Sequence, residues 1–476
     1  MVKKALIIVP HGDDEVNLVG TIMEQMVSAG VCVKALFVTN GDYDPKVTEH
    51  RMKETIRVTR KMKFNDIYFL GYGDNPDGRN HIFSSENELC KSMAGHTCTY
   101  GVKGTSDYRY LISGFHSEYR LNCLKEDMQA CIERERANLI FCVDYDSHPD
   151  HRMTSLIFDQ VIHDIVENSD YRPIVLKKFA YAGTWHGKED YFSSPMQPTI
   201  LEDYEYFPYA KQQELRIKVD QGVYPALFWN SEVYKWCRIY RSQKAASHFF
   251  SIVNADTVFF YRDTDNLALG ATITGSSGET KYLNDFKLYD TDTICGKTKI
   301  NGENIRKYTW IPAPQDMTKE FKIYVSCPVS VEMLVFYQSH DKDSKIKRIK
   351  IEMDNNFVQE YELEDSLCST VILEKKQNNV QQIRISVMES YGKLAGFREV
   401  EIFDHISGFP WKEVPFVPYE ENIKEADRKF CCIMQKSINI YMFINKDLRI
   451  NGIGYFIKRF FCKKYKLWKK GRKNAK

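Results

Sequence analysis

No run of about 18 consecutive apolar residues occurs anywhere in this chain of 476 residues, which argues against a membrane-spanning helix. The start is equally bare. Met1 leads almost directly into an apolar strand-like run, leaving no room for the long apolar stretch and cleavage site of a secretory signal. The 13 cysteines are odd in number and show neither C-x-x-C pairs nor regular spacing, so a disulfide framework and a thiolate zinc site are both unsupported. Cys32, Cys142 and Cys327 lie inside apolar patterns, where a thiol acts as a small hydrophobe. Adjacent Cys431-Cys432 read as ordinary side chains, or at most as a lipidation site. These features together point to a reducing, cytoplasmic setting. Net charge is nearly absent too, at +2, yet residues 451–476 hold ten Lys or Arg and no Asp or Glu, so the remainder carries −8. The basic character belongs to the tail alone.

What is present begins with Leu6-Ile7-Ile8-Val9, a run with the length and composition of a buried parallel strand. Pro10-His11-Gly12-Asp13-Asp14-Glu15 follows at its carboxyl end, where open α/β sheets place their chemistry, and an amphipathic helix starts at Val16. Two adjacent carboxylates beside an imidazole repel unless a cation or protons offset them. A divalent metal would do so if His11 and Asp14 point at one ion, with Asp13 left as a base toward activated water. The plainer alternative is that Asp13 or Asp14 caps the helix. A second apolar strand at residues 137–143 is followed by Ser147-His148-Pro149-Asp150-His151-Arg152 and another helical pattern. The strand, His/Asp turn, helix arrangement thus occurs twice. If both strands share one parallel sheet, both turns open on the same edge and His151 can supply a third ligand.

These two turns resemble the marks of the LmbE and PIG-L type zinc-dependent de-N-acetylases, an A/P-H-P-D-D-E turn after the first strand and an H-P-D-H turn further along. The resemblance covers roughly residues 1–260. It implies that His11, Asp14 and His151 are the zinc ligands, that Asp13 is the general base and that His148 stabilises the oxyanion. A His₂Asp set suits Zn²⁺ or Fe²⁺. Gly12 stands where the family usually has proline, which adds backbone freedom to the turn but removes no ligand.

Residues 31–39 read as a second buried strand ended by Asn40-Gly41-Asp42, residues 47–63 as a charged helix, and residues 66–70 as a third strand leading into Gly71-Tyr72-Gly73-Asp74. Such alternation argues for a Rossmann-like, doubly wound parallel sheet. The resemblance implies that Arg51 and Asp74 reach the sugar, although Arg51 equally suits an i,i+3 pair with Glu54 on a solvated face. Residues 75–119 lose periodicity and suggest a lid or substrate wall, in which His81, His96 and His116 have no ligand-pair spacing. A strand is expected over residues 179–185, with Tyr181 and Trp185 flanking a sugar ring or packing in the core. A helix over residues 231–248 and a strand over 257–261 close this unit at about residue 263.

Short alternating runs between residues 266 and 404 predict an all-β, galactose-binding-like sandwich that resembles discoidin or coagulation factor 5/8 type C modules. That likeness implies a glycan or lipid head group as ligand; a docking role is the alternative. Residues 405–476 form a C-terminal extension. Its end places Ile457, Phe460, Phe461, Tyr465 and Trp468 near one helical face among cations, a pattern suited to an anionic membrane surface. RNA is the rival partner and a solvated tail the plain reading. The expected activity is metal-dependent removal of an N-acetyl group from an amino sugar in a glycan or glycolipid. Two alternatives stand beside it: a membrane-associated carbohydrate-binding protein with an inactive metal site, and a related amidase acting on a larger conjugate.

Overall fold

The structure, a computed structural model, describes residues 2–74, 82, 87–102, 104–146, 148–180, 198–199, 208–289, 307–341, 343–420, 433–434, 436–438 and 440–441. Five parallel strands build the first sheet: β1 (Lys4–Val9), β2 (Cys32–Thr39), β3 (Asp66–Tyr72), β4 (Leu139–Val143) and β5 (Ile174–Lys178). Their order is β3-β2-β1-β4-β5, so the chain winds outward in one direction from β1 and in the other from β4. The crevice between the carboxyl ends of β1 and β4 is therefore the topological switch point, where α/β sheets bind their ligands. Both sequence motifs follow those two strands. Alternate residues explain the unbroken apolar run of β1: Ala5, Ile7 and Val9 enter one core, and Leu6 and Ile8 the core on the opposite face. Helices α1 (Asp14–Val19), α2 (Met23–Ser28), α3 (Thr48–Lys61), α4 (Tyr108–Ser113), α5 (Leu121–Glu135) and α6 (Pro149–Asn168) accompany the parallel strands.

The sheet is not wholly parallel. Strands β6 (Glu214–Lys218) and β7 (Asp256–Arg262) extend it as β5-β7-β6, both pairings antiparallel. Strand β5 ends at Lys178, so Phe179 and Ala180 lie past it, and the rest of the strand anticipated over 179–185, with Tyr181 and Trp185, falls outside the described residues. The anticipated helix over 231–248 is broken: helix runs only over Glu232–Cys237, before a 3₁₀ turn at Ala245–Ser247 and a short helix at Phe249–Ile252. Lys244, in the left-handed region at φ 56°, marks the break.

The second unit is antiparallel: β8 (Thr272–Gly275), β9 (Glu320–Gln338), β10 (Lys345–Met353), β11 (Val358–Glu362), β12 (Cys368–Tyr391) and β13 (Phe397–Phe403). Strand β9 is long because it joins two short runs visible in sequence, residues 321–325 and 330–336, while β12 extends well beyond the run at 383–387, and the register between them shifts around Val329–Val331. Phe321 and Ile323 before the shift, and Leu334 and Phe336 after it, enter one core, which makes the bent sheet a sandwich. Cys327, in the β9 bend, is exposed rather than buried, whereas Cys142 is buried and Cys32 half-buried.

The two units share a buried seam. Tyr145, Phe179, Tyr209 and Phe260 of the first pack with Leu288, Tyr289, Met333 and Tyr337 of the second. Across the seam, Arg262 pairs with Glu401 at 3.0 Å, both about 1% exposed, and Gln213 Nε2 donates to the Tyr337 hydroxyl at 2.6 Å. Beyond the sandwich the chain returns to the first unit: Val2 N–H donates to the Glu413 carbonyl, Lys218 N–H to that of Val417, and Phe409 and Phe416 enter the core beside β1. Among the described residues no helix is long and apolar enough to cross a membrane, and the basic tail lies outside them.

Candidate active site

The first turn is held in a conformation its residues do not favour. Asp13 has φ 103°, a left-handed value that costs a non-glycine residue on the order of 1–3 kcal/mol. Its N–H donates to the Glu15 carboxylate at 2.9 Å, and the Tyr240 hydroxyl donates to the other Glu15 oxygen at 2.5 Å. Burial pushes the Glu15 carboxyl up to about 8. Gly12 has a steric cause: a Cβ there would collide with Thr55 Oγ1 of α3. Glycine therefore lets α3 close onto the turn, and the strapped Glu15 supplies the rigidity that proline would have given. Gly12→Ala should destabilise the protein by about 1–3 kcal/mol, and Thr55→Ala should recover most of that loss in the double variant. Additive denaturant midpoints in this cycle would contradict the contact.

The second turn comes to meet the first. Ring centroids of His11 and His151 are 5.6 Å apart, of His11 and His148 5.1 Å, and of His148 and His151 4.8 Å. Asp14 Oδ2 lies 2.7 Å from His11 Nδ1 and 3.3 Å from His151 Nε2. Despite these separations, His11 Nδ1 and both Asp14 carboxylate oxygens are buried without a hydrogen-bond partner of acceptable geometry. Burial alone would raise the Asp14 carboxyl, but the imidazoles of His151 and His11 outweigh it and hold the group well below its ordinary value. Buried donor atoms directed at one another rather than satisfied are what a cation site requires. His11, Asp14 and His151 thus fit a divalent ion by donor type, with Asp13 beside them.

Asp146, which sequence reading missed, organises this turn. Its carboxylate lies 2.7 Å from His151 Nδ1 and accepts from the N–H groups of His148 and Ala180, so His151 presents Nε2 to Asp14. A short polar link between an apolar strand and an H-x-x-H turn was the available signal. His148 caps α6, its Nδ1 accepting the Asp150 N–H at 3.2 Å. Burial and the neighbouring His151 and His11 depress its pKa to about 3, so the ring is neutral, and that hydrogen bond assigns its proton to Nε2. In this tautomer His148 offers its Nε2 proton as a donor, and ring nitrogens of His11, His148 and His151 also lie within 4.8 Å of one another.

Asp13 has a different neighbour at each oxygen. Oδ1 lies 3.8 Å from His11 Nδ1 and 3.9 Å from Arg51, and Oδ2 lies 3.7 Å from His248 Nδ1, another residue the sequence reading missed. His248 is also within 3.4 Å of Asn17 Nδ2 and remains partly exposed, at the mouth of the site. Arg51 does not occupy a solvated helix face: it is 3% exposed, and its guanidinium meets Asp74 at 3.1 Å. Asp74 also accepts from Thr39 Oγ1 and from the Gly41 N–H. Arg51 and Asp74 therefore form a buried pair beside the turn. Glu54 turns elsewhere, accepting from Ser242 Oγ and from the N–H groups of Arg241 and Ser242. From the insertion, Tyr100 donates its hydroxyl to Asp42, and its carbonyl accepts from Asn40, so residues 98–119 do flank this sheet edge. His96 stacks on Tyr100 and His116 pairs with Asp107, while His81 is outside the described residues.

At the far end of α1, the buried Lys178 ammonium donates to the carbonyls of Asn17 and Leu18 and to Thr257 Oγ1. Burial lowers its pKa from 10.5 to about 7. For such a lysine the stabilising contribution is present above the unfolded value and is lost as pH falls toward the folded one. Wild type should therefore lose stability relative to Lys178→Met between pH 10 and pH 7, by on the order of a few kcal/mol, and the difference should level off below pH 7. Urea midpoints across this range would show parallel curves if Lys178 stays charged throughout.

Residues 6–162 match the family model described as PIG-L, GlcNAc-PI de-N-acetylase, about a third of the chain. No curated protein matches. Among solved structures, the chain is similar to an N,N'-diacetylchitobiose deacetylase from Pyrococcus horikoshii at 20% identity and TM-score 0.24, covering 36% of this chain and 52% of that one. A conserved protein from Thermus thermophilus matches at 14% identity and TM-score 0.27, over 53% of this chain and 80% of that one. The family 32 carbohydrate-binding module of NanJ from C. perfringens, in complex with galactose, matches at 14% identity and TM-score 0.22, over 28% of this chain and 92% of that one.

Proposed function

We propose that the protein is a metal-dependent hydrolase that removes the N-acetyl group from an amino sugar within a glycan, glycolipid or glycoconjugate. One observation carries this reading: His11 Nδ1 and the Asp14 carboxylate, buried without hydrogen-bond partners, converge with His151 at the switch point while Asp13 stands beside them unshielded by a helix cap. The family match over residues 6–162 names the same reaction class. A divalent ion, zinc or iron, held by His11, Asp14 and His151 would supply Lewis acidity toward water and the amide carbonyl.

The chain's own groups do the rest. Asp13 takes a proton from the attacking water and returns it to the departing nitrogen, so one amide and one water become acetate and a free amine. His148, neutral and with its proton on Nε2, donates to the oxyanion that develops on the carbonyl. Arg51, held against Asp74, keeps a cationic group 3.9 Å from the Asp13 carboxylate. The sugar would enter beside the 98–119 wall, and the sandwich, the second glycan-facing surface of the proposal, would take a carbohydrate at its loops. We place the protein in the cytoplasm, at the inner membrane face through the basic tail, on the cysteine pattern and the charge of residues 451–476.

The test is acetate release from N-acetylglucosamine and its conjugates by the metal-loaded protein, read together with metal content. Stoichiometric metal with acetate released supports the proposal. Stoichiometric metal with no acetate released from any N-acetylated sugar overturns it.

A further inference from the structure

We propose that the β-sandwich is a working part of the catalytic turn: Tyr289 of the sandwich positions the 144–152 turn through Tyr145, and so sets the geometry of His148 and His151. The inference rests on the assignment of those histidines to the hydrolase site.

The contact is a continuous column. Arg152, next to His151, lies over the Tyr145 ring at 5.2 Å. The Tyr145 and Tyr289 rings stack at 4.9 Å with planes 8° apart, and Tyr289 in turn stacks on His340 at 5.6 Å. Tyr145 and Tyr289 are each no more than 1% exposed. Arg152 Nε also donates to the Asp146 carbonyl at 2.7 Å. The column therefore begins in the turn that carries the site and ends inside the sandwich.

Tyr145 stands between two carboxylates that fix the turn. Asp144 accepts from the Tyr209 hydroxyl at 2.7 Å and from Ser155, and Asp146 holds His151 and the His148 N–H. A backbone displacement at Tyr145 is therefore passed directly to its two neighbours. On the other side, Tyr289 is fixed by β13: Arg398 donates to the carbonyls of Tyr282 and Tyr289 and lies 3.5 Å from Asp285. A module that only delivered substrate would need no aromatic plane inserted behind the metal turn. A stacked pair contributes about 0.5–1.5 kcal/mol beyond its burial, and groups that orient ligands shift metal affinity by about 10–100-fold.

The experiment uses the full chain. Zinc affinity is measured by competition with a chelating dye, and kcat and KM with an N-acetylated sugar. Tyr289→Ala is expected to weaken zinc binding by about tenfold and to lower kcat with KM within about twofold of wild type. Tyr289→Phe should restore both, because it keeps the plane, and Tyr289→Leu, which keeps bulk without the plane, should not. Ile385→Ala, in the sandwich's own core, should lower thermal stability yet leave zinc affinity within about twofold. Should Tyr289→Ala fail to fold, Tyr289→Leu carries the comparison. Wild-type zinc affinity in Tyr289→Leu, or an equal loss in Ile385→Ala, overturns the inference. The zinc measurement is independent of turnover, so a wild-type protein that binds zinc but releases no acetate defeats the hydrolase proposal and leaves this one decided by its own readout.

Discussion

Asp13→Ala should retain metal at the wild-type level and lose turnover by about 10²–10⁴-fold, the range over which a positioned acid–base group contributes. The separation follows from geometry. Asp13 is not bridged between the two imidazoles as Asp14 is; the basic groups of His11, Arg51 and His248 stand 3.7–3.9 Å from its carboxylate, and its backbone is held at φ 103°. Glu15 and Tyr240 carry that strain, so the backbone should persist when the Asp13 side chain is cut back. Circular dichroism and metal content then serve as controls for acetate release. An Asp13→Ala protein that hydrolyses at the wild-type rate would remove the assigned base.

The second large effect is expected at His11 and His151. His11→Ala and His151→Ala should each lose bound metal, and turnover should fall with it to background, because each removes one donor of three from a buried set. Asp146→Ala should give an intermediate result, an affinity loss of about 10–100-fold, since His151 keeps its place but loses the group that fixes its tautomer. The same series distinguishes His148: its alanine variant should keep the metal and lose about 10²–10³-fold in kcat. Metal analysis after gel filtration, beside kinetics, reads the whole series. Full metal occupancy in His11→Ala would break the proposed ligand set.

Both motifs were legible in the sequence because each follows an apolar run too short for a helix and bounded by turn residues, and a strand's carboxyl end exposes whatever polar residues come next. Asp146 was legible in hindsight at best. It is one Asp among several in residues 144–150, and only the contact with His151 Nδ1 gives it a role. His248 and Tyr240 were beyond reach for a different reason: they are more than 200 residues from Asp13 and Glu15, in a segment whose helical periodicity proved to be several short turns. For Arg51, the sequence permitted both a solvated pair and a site role, and burial against Asp74 removed the first. In the sandwich, the runs at 321–325 and 330–336 looked like separate strands, whereas β9 passes through the break between them because an exposed bend tolerates polar side chains.

Local patterning was enough to determine the alternation of strands and helices, the antiparallel second unit and the two His/Asp turns, since each depends on side-chain period over a few residues. Tertiary structure alone decided which distant groups surround Asp13, what a side chain at position 12 would meet, and that the sandwich is packed behind the turn that carries His148 and His151. Those outcomes depend on contacts between segments tens to hundreds of residues apart. No local period encodes such contacts; they exist only once both cores have closed.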